Sequence, residues 1–166
     1  MRFLSLLSPL LALLLLASCG HKERMAGVAE EYTLRTAEHP EGLVVKAVSE
    51  PDSDFGLNYL SQHEVGSMAA LMKQVTEVIM GRTNGMREFN PEDHYVIDLA
   101  ERQMRAMTEL RGMLYKNNEK GEWSGWKLRV DYEAKDGHGG TYRAERWLFF
   151  DKDGETILKT FELPLP

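Results

Sequence analysis

Histidine is the side chain that most often supplies acid–base or metal chemistry near neutral pH. The chain carries five histidines: His21, His39, His63, His94 and His138. None has the spacing that places two metal ligands on one helix face, so the sequence predicts no metal site and no cofactor. His94, between Asp93 and Tyr95, is the best candidate for acid–base chemistry. It falls in the first turn of a predicted helix, which favours a solvated histidine of the capping region over a catalytic one. His94 is also a candidate for contact with a ligand or partner.

Two loops contain incomplete versions of ligand-binding motifs. Asp151-Lys152-Asp153-Gly154 is similar to a fragment of a calcium loop, but it lacks the further acidic ligands in register. A hairpin turn is therefore predicted there. Gly137-His138-Gly139-Gly140 lies between two predicted strands, whereas a phosphate cradle needs a strand before it and a helix after it. No serine or threonine stands in a nucleophile elbow, so the sequence predicts no catalytic residue.

The single cysteine, Cys19, follows a leader that is typical of an export signal. Arg2 gives the leader a positive start, and residues 3–17 contain no charge. That apolar run is shorter than the roughly 20 residues of a membrane-spanning helix. It ends in Leu16-Ala17-Ser18-Cys19-Gly20. This ending resembles the lipobox of bacterial lipoproteins: a leucine, two small residues and the cysteine that is modified.

The resemblance implies that residues 1–18 are a cleaved signal peptide and that Cys19 carries diacylglycerol, with or without a further acyl chain such as palmitate. Two or three acyl chains give stable membrane anchoring. Gly20 is not the aspartate that retains some lipoproteins at the inner membrane, so the expected location is the cell envelope, at the outer membrane. Residues 19–41 are predicted to form the lipidated start and a flexible tether, and residues 42–166 a single domain.

The charge and composition exclude some classes of partner. The 166-residue chain has a formal net charge of −6 and is 43% hydrophobic, as expected for one globular domain. It has no block of lysine and arginine. This argues against nucleic-acid binding, which requires neutralisation of phosphates, and against electrostatic attachment to anionic lipid.

Two helices are predicted in the middle of the chain. Ser61-Gln62-His63-Glu64 has the pattern of a capping box, and the helix behind it is expected to end at Gly81. The second helix is expected to begin at Asn90-Pro91 and to end before Asn117-Asn118. Its predicted buried stripe is Val96, Ala100, Met104, Met107, Leu110 and Leu114. The pairs Asp98–Arg102 and Glu101–Arg105 are placed on its outer face.

The rest of the domain is predicted to be β-structure. Residues 42–48 form one predicted strand, with residues 30–36 as a possible partner. Three strands follow the helices over residues 126–134, 141–150 and 155–163, and Pro164 is expected to stop pairing. The prediction is an α+β fold with two helices on one face of an antiparallel sheet and a C-terminal three-stranded meander. This element order is similar in outline to cystatin-like and nuclear-transport-factor-like folds.

Two sets of apolar side chains have two possible roles each. Seven methionines lie between Met68 and Met113. They form either core filler, the favoured interpretation, or an adaptable groove for a partner. Trp126 fits the inward alternation of its strand, whereas Trp123 lies outside it and is the candidate for an exposed ligand or partner contact.

The leading functional hypothesis is a membrane-anchored envelope lipoprotein whose small domain binds another envelope protein, without catalysis. The alternative is a ligand-binding or enzymatic cone with a pocket between the second helix and the sheet. The polar groups expected in that pocket are His94, Asp98, Tyr132 and Arg143. A wedge-shaped protease inhibitor is a third possibility, although the sequence contains no inhibitory loop motif to support it.

Overall fold

The computed structural model describes the backbone of residues 7–56, 58–116 and 120–166, and within these ranges the side chains from residue 20 onward except that of Lys116. The helices are α1 (Leu7–Thr36), α2 (Gln62–Arg82) and α3 (His94–Lys116), with a 3-10 turn at Pro40–Gly42. The strands are β1 (Val44–Val48), β2 (Asp52–Asp54), β3 (Gly125–Lys135), β4 (Thr141–Phe150) and β5 (Ile157–Leu165).

The strands form one antiparallel sheet in the order β1-β3-β4-β5, and β2 also pairs with β3. The predicted α+β class, with two helices on an antiparallel sheet and a C-terminal meander, is confirmed. Strand β2 falls in Pro51-Asp52-Ser53-Asp54, a segment whose turn-forming residues predict only a turn. Pro164 does not stop pairing, because it lies opposite Ala144 within β5. Strand β5 is at the edge of the sheet, where a residue without an N–H is tolerated.

The sheet is covered on both faces, unlike the prediction of helices on one face only. Leu148 and Phe150 pack with Met25 and Ala29 of α1. Trp147 and Phe149, on the opposite side of the same strand, belong to a cluster with α2 and α3. This explains why the end of β4 has no polar side chains: both of its faces are buried.

Helix α1 replaces two elements that the sequence predicted differently. The strand expected at residues 30–36 is wrong, and residues 20–36 of the expected tether are helical. Met25, Ala29 and Thr33 are fully buried and recur every four residues, which is a narrow helical stripe. The charged residues between them hide this stripe in the sequence. Among the described residues, no helix combines the length and apolar character needed to cross a bilayer.

The predicted leader falls only partly within the structure. Residues 1–6 lie outside the described residues, and residues 7–18 are described as helical backbone at the start of α1. The predicted helix break at Asn117-Asn118 also lies outside the described residues.

The capping box of α2 is present as the sequence predicts. The Ser61 hydroxyl accepts a hydrogen bond from the Glu64 amide at 3.3 Å, and the Glu64 carboxylate accepts one from the Ser61 amide at 2.7 Å. Both bonds satisfy amides that the helix leaves free. The helix continues one residue past Gly81, to Arg82.

Removal of the Ser61 hydroxyl should therefore destabilise the domain. We expect Ser61→Ala to lower the free energy of unfolding by about 1 kcal/mol, because the Glu64 amide loses its acceptor. The control is Ser67→Ala, an exposed position in the interior of α2, where we expect a change within about 0.5 kcal/mol. Urea denaturation measures both values, and equal values for the two variants would contradict the capping role.

Helix α3 begins later than predicted and presents a different face to the core. It starts at His94 because the Asp93 carboxylate, not Asn90, accepts from a helix amide, that of Val96 at 3.3 Å. The predicted stripe is wrong at Met104, Met107 and Leu114, which are exposed. The buried residues of α3 are Val96, Leu99, Arg102, Gln103, Ala106, Leu110 and Met113.

Candidate functional site

An exposed apolar groove lies along α2 and α3. Its larger part is an open depression of about 530 Å³ on α3. A smaller cleft of about 80 Å³ continues from it between the two helices. The residues that line the two parts are Val65, Met68 and Ala69 of α2 and Met107, Leu110, Arg111, Leu114 and Tyr115 of α3. We call this surface the α2–α3 groove.

The groove exposes side chains that a monomeric domain normally buries. Tyr115 is 83% exposed and Met107 is 48% exposed. Met104 lies three residues before Met107, on the same side of α3, and is also exposed. Thioether side chains adapt their shape to different apolar surfaces. The methionines of α2 are mostly core, as favoured by the sequence, while those in the middle of α3 fit the groove interpretation instead.

A second cluster surrounds Arg102, whose side chain is 5% exposed. Each of its three guanidinium nitrogens donates a hydrogen bond. Its Nε donates to Asp98 at 2.8 Å, and its two terminal nitrogens donate to Glu162 and Glu38, each at 3.1 Å. The guanidinium carbon lies 3.4 Å from the centre of the Tyr142 ring. Each nitrogen of the buried cation therefore donates to a carboxylate.

The same cluster continues to the other side of Glu162. Arg146 donates to Glu162 at 2.8 Å and to the Thr36 hydroxyl at 2.6 Å, and the Tyr132 hydroxyl donates to Glu162. Burial alone would raise the pKa of Glu162, but the Tyr132 hydrogen bond and the charge of Arg146 outweigh it and lower that pKa. Burial and the nearby Glu162 charge raise the pKa of Tyr132. The carboxylate is thus held ionised and the phenol held neutral.

The polar cluster borders a cavity of about 260 Å³. Its arginines and carboxylates are satisfied by one another, and they join the end of α1 to α3 and the sheet. This pairing favours a structural role over ligand binding, because a ligand would have to displace an internal partner.

The structure brings together two of the four polar residues expected in a pocket. Asp98 and Tyr132 both belong to the Arg102 cluster, through Arg102 and Glu162 respectively. Arg143 is exposed on β4, on the side of the strand opposite Ala144, and does not line the cavity. His94 stacks on His138 of the β3–β4 hairpin, with ring centres 4.0 Å apart.

The sequence did not identify the arginines and glutamates at the centre of this cluster. Arg102 was predicted on the outer face of α3, yet it is among the most buried charged residues described. The available signal was Asp98, four residues earlier, because this spacing holds an arginine against the helix. Glu162 and Arg146 lie opposite each other on adjacent strands, and no sequence signal linked them to α3.

The tryptophan and cysteine candidates lie near the start of the packed part of α1. Trp123 is exposed, which was one of its two interpretations from the sequence. Its ring meets the Trp126 ring edge-on, with ring centres 5.8 Å apart. Trp126 is half-buried, not core, and its indole N–H donates to the Lys152 carbonyl at 3.1 Å. Cys19 lies within α1, two residues before His21.

A third cluster holds a buried ion pair beside an unpaired carboxylate oxygen. Lys127 donates to Glu64 at 2.7 Å, and both side chains are largely buried. Asp54 lies at the end of β2, and its Oδ1 has no hydrogen-bond partner within the described part of the chain. Burial raises the pKa of Asp54 to about 6, although Lys127 and the Phe55 amide act to lower it.

Across the described ranges, no group of three or more histidine, cysteine, aspartate or glutamate side chains is arranged to hold a metal ion. Comparison of the chain with protein-family models, curated proteins and solved structures finds no match.

Proposed function

We propose that this protein is a lipid-anchored accessory protein of the cell envelope, and that it binds an amphipathic helix of another envelope protein in the α2–α3 groove. The observation that carries the proposal is the row of exposed apolar side chains on α3. Met107, Leu114 and Tyr115 stand beside a cleft between two helices, and amphipathic helices dock into grooves of this kind.

The shape of the groove favours a helix as the occupant. The exposed residues Met104, Met107 and Leu114 are three and seven residues apart, so they follow one side of α3 over about three turns. A straight apolar row of that length matches one face of a partner helix. The cleft formed by Val65, Ala69 and Leu114 offers a recess for a partner side chain at one end.

The charge in the groove indicates which charge the partner helix should carry beside its apolar face. Arg111 is the charged residue among those that line the described depression, and it stands between Met107 and Leu114 along α3. A carboxylate on the partner helix could pair with this guanidinium while its apolar neighbours fill the groove. We therefore expect an apolar helix face bordered by aspartate or glutamate.

The anchor part of the proposal depends on the lipobox-like residues Leu16-Ala17-Ser18-Cys19. An acylated Cys19 would confine the domain to a membrane surface and so raise the local concentration of membrane-bound partners. We expect Cys19→Ala to remove fatty-acid labelling and to release the protein from the membrane fraction. Retention of both would contradict acylation at this residue.

The groove is tested by site-specific photocrosslinking in the host cell. A photoreactive amino acid replaces Met107 or Leu114 in the groove, and Met86, which is 65% exposed between α2 and α3, serves as the control position. We expect both groove positions, but not position 86, to crosslink to the same envelope protein. Peptide mapping should place the crosslink in an amphipathic helix with acidic residues at its border.

A charge placed in the groove gives a quantitative version of the same test. We expect Leu114→Asp to reduce recovery of that partner at least about tenfold, because an unpaired carboxylate would be desolvated in the complex. Met86→Asp is the matched control, with no expected loss. Crosslinks from the groove to a second copy of this chain, to lipid, or to nothing would overturn the proposed occupant.

A further inference from the structure

We propose that the surface formed by the start of the packed part of α1, Trp123, Trp126 and the β4–β5 turn lies against the phospholipid headgroups of the membrane. We call this surface, residues 20–25, 123–126 and 151–156, the tryptophan face. The inference rests on the proposed lipid anchor at Cys19 and adds which side of the domain meets the bilayer.

Within the described part of the chain, no free segment separates Cys19 from the packed part of α1. Helix α1 is continuous from Leu7 to Thr36, so Cys19 is part of the helix that packs on the sheet. Because a helix rises about 1.5 Å per residue, His21 follows Cys19 by about 3 Å along the axis. Lipid on Cys19 would therefore attach close to the domain surface, without a long linker.

Trp126 and the β4–β5 turn lie beside this end of α1. The His21 ring contacts the Trp126 ring edge-on, with centres 6.0 Å apart, and Met25 is fully buried against the sheet. The β4–β5 turn approaches so closely that a Cβ on Gly154 would lie 2.6 Å from the Met25 sulfur and 2.9 Å from His21. Gly154 also has a positive φ of 68°, a backbone conformation that favours glycine. Both the close contact and the backbone conformation therefore favour glycine at this position.

The tryptophan face presents an exposed indole ring beside a lysine. Trp123 is 39% exposed, and the Lys152 ammonium lies 5.4 Å from its ring centre. Tryptophan is enriched at membrane interfaces because its ring is apolar and its N–H is polar, and lysine can extend its charge toward water there. An exposed tryptophan beside a lysine, next to a lipid attachment point, fits the headgroup layer.

The tryptophan face carries three basic side chains and four acidic ones, which favours a zwitterionic over an anionic lipid surface; these are Lys22, Arg24, Lys152, Glu23, Asp151, Asp153 and Glu155. Lys22 pairs with Glu50 at 3.1 Å, and Arg24 lies 3.6 Å from Glu155. Contact with the membrane should therefore depend on the indole rings and the acyl chains more than on anionic lipid.

The arrangement leaves the α2–α3 groove accessible. Helix α1 packs on the sheet face that carries Leu148 and Phe150, whereas α2 and α3 pack on the face that carries Trp147 and Phe149. A membrane held at the start of α1 thus lies on the other side of the sheet from the helices that form the groove.

The full chain is expressed in its host, and the acylated protein is purified and reconstituted into phosphatidylcholine vesicles that contain lipid brominated near the headgroup. Bromine quenches only nearby tryptophan fluorescence. The chain has three tryptophans, and Trp147 is buried on the opposite sheet face. Trp147→Phe therefore reports the tryptophan face, and the double variant Trp123→Phe/Trp126→Phe reports Trp147 as the matched control.

We expect fractional quenching to be about three times greater in Trp147→Phe than in the double variant, because interfacial indoles lie at the depth of the bromine. Addition of anionic lipid should not increase the quenching of Trp147→Phe. If the double variant does not fold, Trp123→Phe combined with Trp147→Phe replaces it, and this protein should lose at least about half of the quenching because Trp123 is the more exposed ring.

Vesicle flotation separates this inference from the proposed function. A protein that does not float has no lipid anchor, and both proposals then fail at that step. If the protein floats but the two variants are quenched equally, the anchor is present and the proposed contact between the tryptophan face and the headgroups is overturned. Quenching that appears only with anionic lipid would overturn the aromatic account of the contact.

Discussion

Replacement of Arg102 by alanine is expected to lower the free energy of unfolding by about 3–5 kcal/mol, the usual cost of removing one partner from a buried ion pair. Arg102 is the shared donor to Asp98, Glu162 and Glu38. Without it, Glu162 keeps Arg146 and Tyr132 as partners, but Asp98 loses the nearest cation. The Tyr142 ring loses its stacked guanidinium as well.

The matched control for this prediction is Arg105→Ala. Arg105 also approaches Glu38, at 3.5 Å, but its side chain is largely exposed. Surface ion pairs contribute roughly 0–1 kcal/mol, so we expect a change within that range. Urea denaturation of both variants at neutral pH measures the difference. A cost below about 1 kcal/mol for Arg102→Ala would contradict a stabilising role for the cluster.

The effect of Arg102 should also be visible at α1. Glu38 follows α1, and Thr36 at its last position accepts from Arg146, so the cluster holds the end of this helix. Hydrogen exchange of α1 amides should therefore become faster in Arg102→Ala than in Arg105→Ala. Equal exchange in the two variants would place the loss of stability elsewhere in the fold.

The sequence was most informative where several local signals agreed. For α2, the capping box and the interpretation of the methionines as core filler agreed, and both the cap and the burial of Met68 and Met72 were predicted correctly. Strand β4 was predicted at its observed bounds between two turn-forming segments, and its apolar end, which the sequence left as either covered on both sides or bulged, is covered on both sides. In these elements the local preferences and the packing point to the same structure.

Helix α3 shows why a helix can be predicted without its orientation. It has two apolar stripes, one through Leu99, Ala106 and Met113 and the other through Met104 and Met107. The stripes differ by part of a turn, and their composition is similar. Which of them meets the sheet depends on α2 and β5, that is, on packing between distant segments. The groove therefore could be proposed from the sequence only as one of two alternatives.

Helix α1 was missed for a different reason. Its packed stripe is built from Met25, Ala29 and Thr33, which are weak signals of a core face. The surrounding lysine, arginine and glutamate residues made the segment look like a polar linker. Its place on the sheet is fixed by the small side chains and by Gly154 in a distant turn, which the sequence order does not connect.

Replacement of the Asp54 carboxylate is expected to have the second large effect on the free energy of unfolding. Unlike Arg102→Ala, this substitution should stabilise the fold. We expect Asp54→Asn to raise the free energy of unfolding by about 2 kcal/mol at pH 8. The rise in pKa from 3.8 to about 6 corresponds to a penalty of about 3 kcal/mol on the ionised form. The amide avoids this penalty, but its N–H group takes the place of the unpaired Oδ1 and reduces the gain.

The pH dependence follows from the direction of the shift. The folded chain holds the Asp54 proton more tightly than the unfolded chain, so this proton contributes its full stability below pH 3.8. The contribution is lost as the pH rises through about 6. The difference between wild type and Asp54→Asn should therefore be small at pH 3.8 and reach its maximum above pH 6, because only the ionised carboxylate carries the burial penalty.

Asp52→Asn is the control, because Asp52 lies two residues earlier on the same strand and is exposed. We expect Asp52→Asn to change the free energy of unfolding by less than about 0.5 kcal/mol at any pH between about 4 and 8. Urea denaturation of the three proteins between pH 4 and pH 8 measures the effect. A loss of stability in Asp54→Asn at pH 8 would show that the attraction between Asp54 and Lys127 outweighs the burial of the carboxylate, and that β2 is held to the sheet by this charge pair.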